Sequence, residues 1–189
     1  MISAILLAAG QSKRMNGENK LIKKIQNVPL IKHSIKNILE SSVDEIIVVL
    51  GHDKEIIEKI IDQNDKIRLV FNKNFENGIA SSIKTGLAKL SNKTESFFIC
   101  LGDMPNVNRN IYDKLIQSKN NKEIVVPNFK GNQCNPILFS RSVINTLMNV
   151  QGDTGAKKIL ELNKNKILNV NIDELNFAKD FDTPEDFKT

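Results

Sequence analysis

Two cysteines, Cys100 and Cys134, are all that 189 residues contain, and neither stands in a C-x-x-C spacing. Two are too few for a disulfide framework, and the pattern is wrong for a cysteine metal site. This usage fits a reducing compartment, so the expected location is cytoplasmic. No apolar run approaches the roughly 18 residues that a membrane span needs. The short apolar start lacks a basic leading region and runs straight into a glycine turn, so it reads as a strand rather than a secretory signal. No G-x-x-x-x-G-K-[ST] occurs, and no G-x-G-x-x-G follows the first apolar run, which removes two familiar phosphate loops. The net charge of +5 is spread over single lysines and forms no block. That suits a small anionic ligand and argues against a nucleic acid partner, which needs basic residues clustered on one face. No repeat, linker or low-complexity segment interrupts the chain.

What is present is ordinary for a soluble globular protein: 40% apolar and 26% charged residues. The length predicts a single domain over residues 1–189 with a proper core. Apolar runs at 2–7, 45–50, 67–71, 97–101, 124–127, 136–139 and 167–172 read as strands. The continuous run at 45–50 marks a strand covered on both faces. Helical spacing appears at 30–40, after Asp53 as a helix cap, after Asn77-Gly78, at 108–119, up to about 149 and at 152–162. A last short helix opens at Asp182-Thr183-Pro184. Strands alternate with helices almost throughout, which predicts an α/β chain with an open, mostly parallel sheet and helices on both faces. In such sheets ligands bind beyond the carboxyl ends of the strands, so the loops after the first, third and fourth of these strands are expected at one crevice.

The stretch 1–20 carries the first candidate chemistry. The turn Ala8-Ala9-Gly10 ends the strand, and Ser12, Lys13, Arg14, Gly17 and Lys20 follow. Small residues let backbone N–H groups approach a ligand, and the cations arrive within one loop's length, so a phosphate chain fits here. A glycine turn with solvated lysines is the plain alternative. Asp103 follows a buried strand on Gly102 and precedes Pro105. Its carboxylate is thus held at the sheet edge, where magnesium takes one or two carboxylates plus phosphate oxygens; a turn aspartate bonding its own backbone is the alternative. Near the end, Asp182 suits an N-cap with Glu185 completing a capping box. A second carboxylate meeting Asp103 would complete a magnesium site, and Asp180 and Asp182 are both candidates. Ser81 and Ser82 offer hydroxyls near a helix start; capping by Asn77, or plain surface serines, is the alternative. The stretch Gly152-Asp153-Thr154-Gly155 precedes Lys157 and Lys158, which either meet an external anion or form a solvated face. His33 and His52 receive no catalytic role, and Cys100 reads as a core residue.

The loop from Leu7 to Lys20 resembles the signature loop of nucleotidyltransferases that activate sugars, alcohols and the molybdenum cofactor. With it come EIIVVLGH (45–52), NGIASSIKTGL (77–87), LGDMP (101–105), Asn135-Pro136, GDTGA (152–156) and DFDTPEDF (180–187). In this order they resemble the molybdenum-cofactor nucleotidyltransferase family over essentially the whole chain. Ala9 stands where the guanylyltransferase branch typically has glycine, which points to the cytidylyltransferase branch. The resemblance implies a single-domain Rossmann-like three-layer sandwich and transfer of CMP from CTP to a phosphorylated pterin, with release of pyrophosphate and use of magnesium. A molybdoenzyme or its chaperone would be the protein partner. Leu7, Ala8, Ala9, Gly10, Asn77, Ser81, Ser82 and Gly102 would meet the nucleotide. Arg14 and Lys20 would hold its triphosphate, and Asp103 would bind the metal with Asp180 or Asp182. Asn135, Gly152, Asp153, Thr154 and Gly155 would face the acceptor. The chain departs from the pattern at Asn16, which intervenes before Gly17, and at Cys134, where a glycine often precedes the Asn-Pro pair. Another phosphorylated acceptor, GTP in place of CTP, or binding and delivery without chemistry are the alternatives.

Overall fold

Leu6 and its neighbours explain the centre of the molecule. In the computed structural model, which describes residues 1–15, 17–149, 151–152 and 157–188, the first strand β1 (Ile2–Ala8) is buried from Ser3 to Ala8. Ala4, Leu6 and Ala8 point into one apolar cluster, and Ile5 and Leu7 into another on the opposite face. This is the two-sided burial that a strand between helical layers requires.

After β1 come a two-stranded hairpin, β2 (Lys24–Ile25) and β3 (Val28–Pro29), then α1 (Leu30–Leu39), β4 (Glu45–Leu50), α2 (Lys54–Ile60) and β5 (Ile67–Phe71). A 3-10 turn (Phe75–Asn77) leads into α3 (Ile79–Leu87) and β6 (Ser96–Leu101). Next are α4 (Arg109–Ser118), β7 (Ile124–Phe129), β8 (Asn132–Gln133) and β9 (Ile137–Ser140). The chain closes with α5 (Ile144–Met148), α6 (Lys157–Leu162), β10 (Ile167–Asn171) and a 3-10 turn (Pro184–Phe187).

The main sheet runs β10-β7-β9-β6-β1-β4-β5, with β8 beside β7. β1 pairs in parallel with β4 and β6, and β4 with β5. β9 runs antiparallel to both β6 and β7. The expected mostly parallel α/β sheet is therefore present, with β9 reversed inside it and the short β8 antiparallel to β7. α1 and α4 cover one face, where Leu30, Ile31, Ile111 and Leu115 are buried; α3 and α5 cover the other with Ile83, Leu87 and Leu147.

Local differences from the sequence reading have physical causes. The hairpin at 24–29 turns on Gln26 and Asn27, both at positive φ, a turn pair weaker in sequence than Asn-Gly. Asp53 stands at the N-cap position of α2 but makes no capping bond, because it sits at φ 55° and its carboxylate accepts from Asn19 instead. The terminal capping box is one residue later than expected. Thr183 is its N-cap and Asp186 its third residue, so the Asp182 carboxylate does not cap.

α3 lies close on the sheet because Gly86 faces β1. A Cβ at position 86 would stand 2.3 Å from Ile5 Cγ2, an atom fixed on a branched carbon in a buried strand. Gly86→Ala is therefore expected to destabilise by about 1–3 kcal/mol despite the better helix propensity of alanine, seen as a lower thermal midpoint. A midpoint at or above the parent's would contradict that packing. In the terminal turn, backbone N–H groups of Thr183 and Asp182 and the Thr183 hydroxyl hold Asp186 down to about 2. A depressed carboxylate gives stability that is present above its ordinary value near 3.8 and lost as pH falls through the folded one. Part of the acid loss of the thermal midpoint between about pH 4 and 2 is expected to disappear in Asp186→Asn.

Candidate functional site

Three loops leave the carboxyl ends of β1, β5 and β6 and enclose a crevice of about 340 Å³. These are the loops that the sheet order predicts. Leu7, Ala9 and Gly10 form its floor from β1, and Gly102 and Asp103 its edge from β6. Ser82 enters from α3, beside Ile79. A Cβ on Gly10 would meet no protein atom within 4 Å, so nothing in the fold itself asks for glycine there. Gly51 is different: a Cβ there would lie 2.7 Å from those of Ala9 and Phe75, so the turn after β4 must be bare to pass under the loop.

The loop after β1 is internally held. Ser12, at φ 51°, accepts the Lys20 N–H on its hydroxyl at 3.1 Å and the Met15 N–H on its carbonyl at 2.9 Å. Met15 and Leu21 are buried and anchor the loop in the core. Asn19, also buried, accepts the Leu21 N–H and donates to Asp53. The result brings the Lys20 side chain into the crevice mouth.

Lys20 Nζ bridges two carboxylates far apart in sequence. It donates to Asp103 Oδ2, and to Asp182 Oδ1 at 2.5 Å. Arg14 Nη1 donates to the other oxygen of Asp182 at 2.8 Å, with its own side chain largely exposed. The backbone ties this together, since the Phe181 N–H donates to the Asp103 carbonyl at 3.1 Å. Burial works to lower Lys20, but the two carboxylates outweigh it and hold its ammonium above the ordinary value, so it is charged at neutral pH. Burial raises Asp103 more than Lys20 lowers it. For Asp182 burial is again the largest single effect and acts upward, yet Lys20 and Arg14 together bring it down.

Asp103 Oδ1 is buried and has no hydrogen-bond partner among the described residues. An uncompensated buried carboxylate oxygen is costly, and a bound cation is one way to satisfy it. Among the described residues no group of three or more His, Cys, Asp or Glu could hold a metal. A pair of carboxylates does fit magnesium, which completes its shell with phosphate oxygens and water. Asp103 and Asp182 are thus the pair that suits a divalent cation. Asp180 is exposed and makes none of these contacts, so of the two late candidates the fold brings only Asp182 to Asp103.

Other expected residues fall as follows. Ala8 is buried beneath the crevice rather than lining it. Asn77 ends the 3-10 turn, and its N–H donates to Asn74. Ser81 turns its hydroxyl to the carbonyls of Asn74 and Gly78. Neither Asn77 nor Ser81 lines the crevice. Gly152, at φ 68°, accepts the Ala80 N–H at 3.1 Å, which sets it against the start of α3. Asp153, Thr154 and Gly155 lie outside the described residues. Asn135 precedes a cis Pro136 on the β8–β9 connection and does not line the crevice. The sequence reading missed Phe75 in the wall and Asn72 behind the two serines. An asparagine directly after the 67–71 run was the only sequence sign of the latter. No helix among the described residues is long and apolar enough to cross a membrane.

The profile of the MobA-like NTP transferase domain matches residues 4–168. Over all 189 residues the chain is 30% identical to the molybdenum cofactor cytidylyltransferase of Escherichia coli K12, covering 94% of that protein. It is 28% identical over 148 residues to a probable molybdenum cofactor guanylyltransferase of Methanosarcina mazei, covering 75% of this chain and 65% of that one. The crystal structure of Rv0371c from Mycobacterium tuberculosis superimposes with a TM-score of 0.88 at 24% identity, over 99% of this chain and 95% of that one. The same protein is known in complex with manganese, where the TM-score is 0.83 at 21% identity, over 99% and 96% of the two chains.

Lys20→Met leaves Asp103 and Asp182 facing each other without their shared cation. The expected cost is about 1–3 kcal/mol, read as a lower thermal midpoint. Millimolar magnesium or manganese should then raise the midpoint of the variant more than that of the parent, because the ion replaces the lost charge. An equal rise in both proteins would exclude a divalent-ion site at this pair.

Proposed function

Since this chain belongs to the MobA-like NTP transferase domain family, with the match running over residues 4–168, we propose that it transfers CMP from CTP to the terminal phosphate of molybdopterin. The observation that carries the reading is the bridge from Lys20 to Asp103 and Asp182 at the mouth of the Ala9-Gly10 crevice. Identity to a cytidylyltransferase over the full length supports CTP. So does Ala9, which stands where the guanylyltransferase branch typically has glycine.

In this reading the backbone at Ala9 and Gly10 receives the nucleoside, and Lys20 and Arg14 take the triphosphate oxygens. A terminal phosphate oxygen of the acceptor attacks the α-phosphorus in line. The bond from the α-phosphorus to the bridging oxygen breaks, and pyrophosphate leaves with that electron pair. The nucleophile is already ionised, so no general base is needed. Catalysis is then positioning plus neutralisation of charge. Asp103, with Asp182, would hold a magnesium ion, whose positive charge lowers the cost of crowding phosphate oxygens together. The Gly152 turn, set against α3, would border the acceptor. A cytoplasmic site of action and a molybdoenzyme or its chaperone as recipient complete the proposal.

The test is pyrophosphate release from purified protein with CTP, GTP and molybdopterin, alongside a sugar phosphate and phosphocholine as acceptors. CTP with molybdopterin is expected to be preferred. Asp103→Asn and Lys20→Ala are each expected to lose about 100-fold or more in turnover while remaining folded by circular dichroism. Chelation of divalent ions should abolish release, and magnesium should restore it. Tight CTP binding without release from any acceptor would favour a delivery protein, and parent-like release by either variant would remove its assigned role.

A further inference from the structure

Asn72 follows β5 and is 3% exposed. Its Oδ1 accepts the Asn74 backbone N–H at 2.9 Å, and a backbone N–H can only donate, so the orientation of the amide is fixed. Nδ2 therefore faces α3 with both protons. It donates to Ser81 Oγ at 2.8 Å and to Ser82 Oγ at 3.0 Å. Ser81 passes its own proton on to the carbonyls of Asn74 and Gly78, each 2.8 Å away. Ser82 does not: it accepts from Asn72, its hydroxyl proton has no acceptor among the described residues, and it lines the crevice. It does so beside Leu7 and Ile79, whereas the paired charges gather around Asp103. That wall suits the nucleoside end of a triphosphate, and the charged side suits its phosphates.

We propose that Asn72 is a positioning residue that sets the hydrogen-bond polarity of the nucleoside end. By donating to both serines it leaves Ser82 with a proton to give, so Ser82 selects a base edge that carries an acceptor, as O2 and N3 of cytosine do. This rests on the nucleotidyltransferase reading above. Asn72→Asp is nearly isosteric and keeps the bond from the Asn74 N–H, but it draws the serine protons toward itself. Ser82 then offers lone pairs to the crevice, and the preference for an acceptor edge is lost.

The test compares equilibrium binding of CTP with that of 2-thio-CTP and 3-deaza-CTP, which weaken or remove the two acceptors. The parent is expected to bind at least one analogue about five- to tenfold more weakly than CTP, the worth of one neutral hydrogen bond. In Ser82→Ala and in Asn72→Asp that ratio should shrink to within about twofold, and adding Asn72→Asp to Ser82→Ala should not move it again. A general structural loss, or the added negative charge, weakens all three ligands alike and leaves the ratio in place. Should Asn72→Asp fail to fold, Asn72→Ala frees the Ser82 hydroxyl without adding charge and is read for the same ratio. An unchanged ratio in a folded Asn72 variant overturns the role of Asn72 alone, and no discrimination by the parent overturns that of Ser82 as well. A parent that does not bind CTP overturns the cytidylyl reading and this assignment together.

Discussion

β1 lies between β4 and β6, parallel to both, and is buried on both faces, and the rest of the molecule follows from that constraint. The registers pair Ala8 with Leu50 and Leu7 with Leu101, so three strands end side by side. Their loops have no core left to enter and must spread over the same sheet edge. A crevice there is a consequence of topology, whatever ligand it serves. The close turns are part of the same constraint. Bare Gly51 passes under Ala9, and bare Gly86 lets α3 press on Ile5, so the walls stand as near to the floor as backbone allows.

The second constraint is electrostatic and links the two ends of the chain. Asp182 is reached only after the chain has crossed to β10 and returned, and its anchor is a backbone bond from Phe181 to Asp103. The capping box of Thr183 and Asp186 closes the following turn without using Asp182. That shift of one residue leaves a carboxylate uncommitted to backbone, and Lys20 and Arg14 occupy it. Local turn chemistry thus decides which of three nearby aspartates reaches the crevice mouth.

Much of this was legible in the sequence, and what was not has identifiable reasons. Continuous apolar runs disclosed the buried strands, because two-sided burial removes alternation. The phosphate-type loop and Asp103 were legible because glycine, small residues and a carboxylate at strand ends carry a mechanism. The reversed direction of β9 was not, since a short apolar run looks the same in either direction. Asp180 and Asp182 could not be separated, because the cap position depends on the backbone angles of Thr183. Asn72 was invisible as a functional candidate because its partners arise from packing α3 against the end of β5, a contact that no local pattern encodes.

The charges at the mouth constrain how the proposed substrates must arrive. Arg14 and Lys20 balance Asp103 and Asp182, so the cluster is closed upon itself. A triphosphate arriving alone brings strong negative charge toward two carboxylates, while a divalent cation arriving alone competes with Lys20 for the same oxygens. Neither addition is balanced. Together they would be: Asp103, whose Oδ1 has no partner among the described residues, and Asp182 would hold the cation, and Lys20 and Arg14 would be free to meet the phosphate oxygens. On the proposed reading the ion pairs are a resting arrangement that disfavours partial loading, and the metal–nucleotide complex is the species that the site is built to accept.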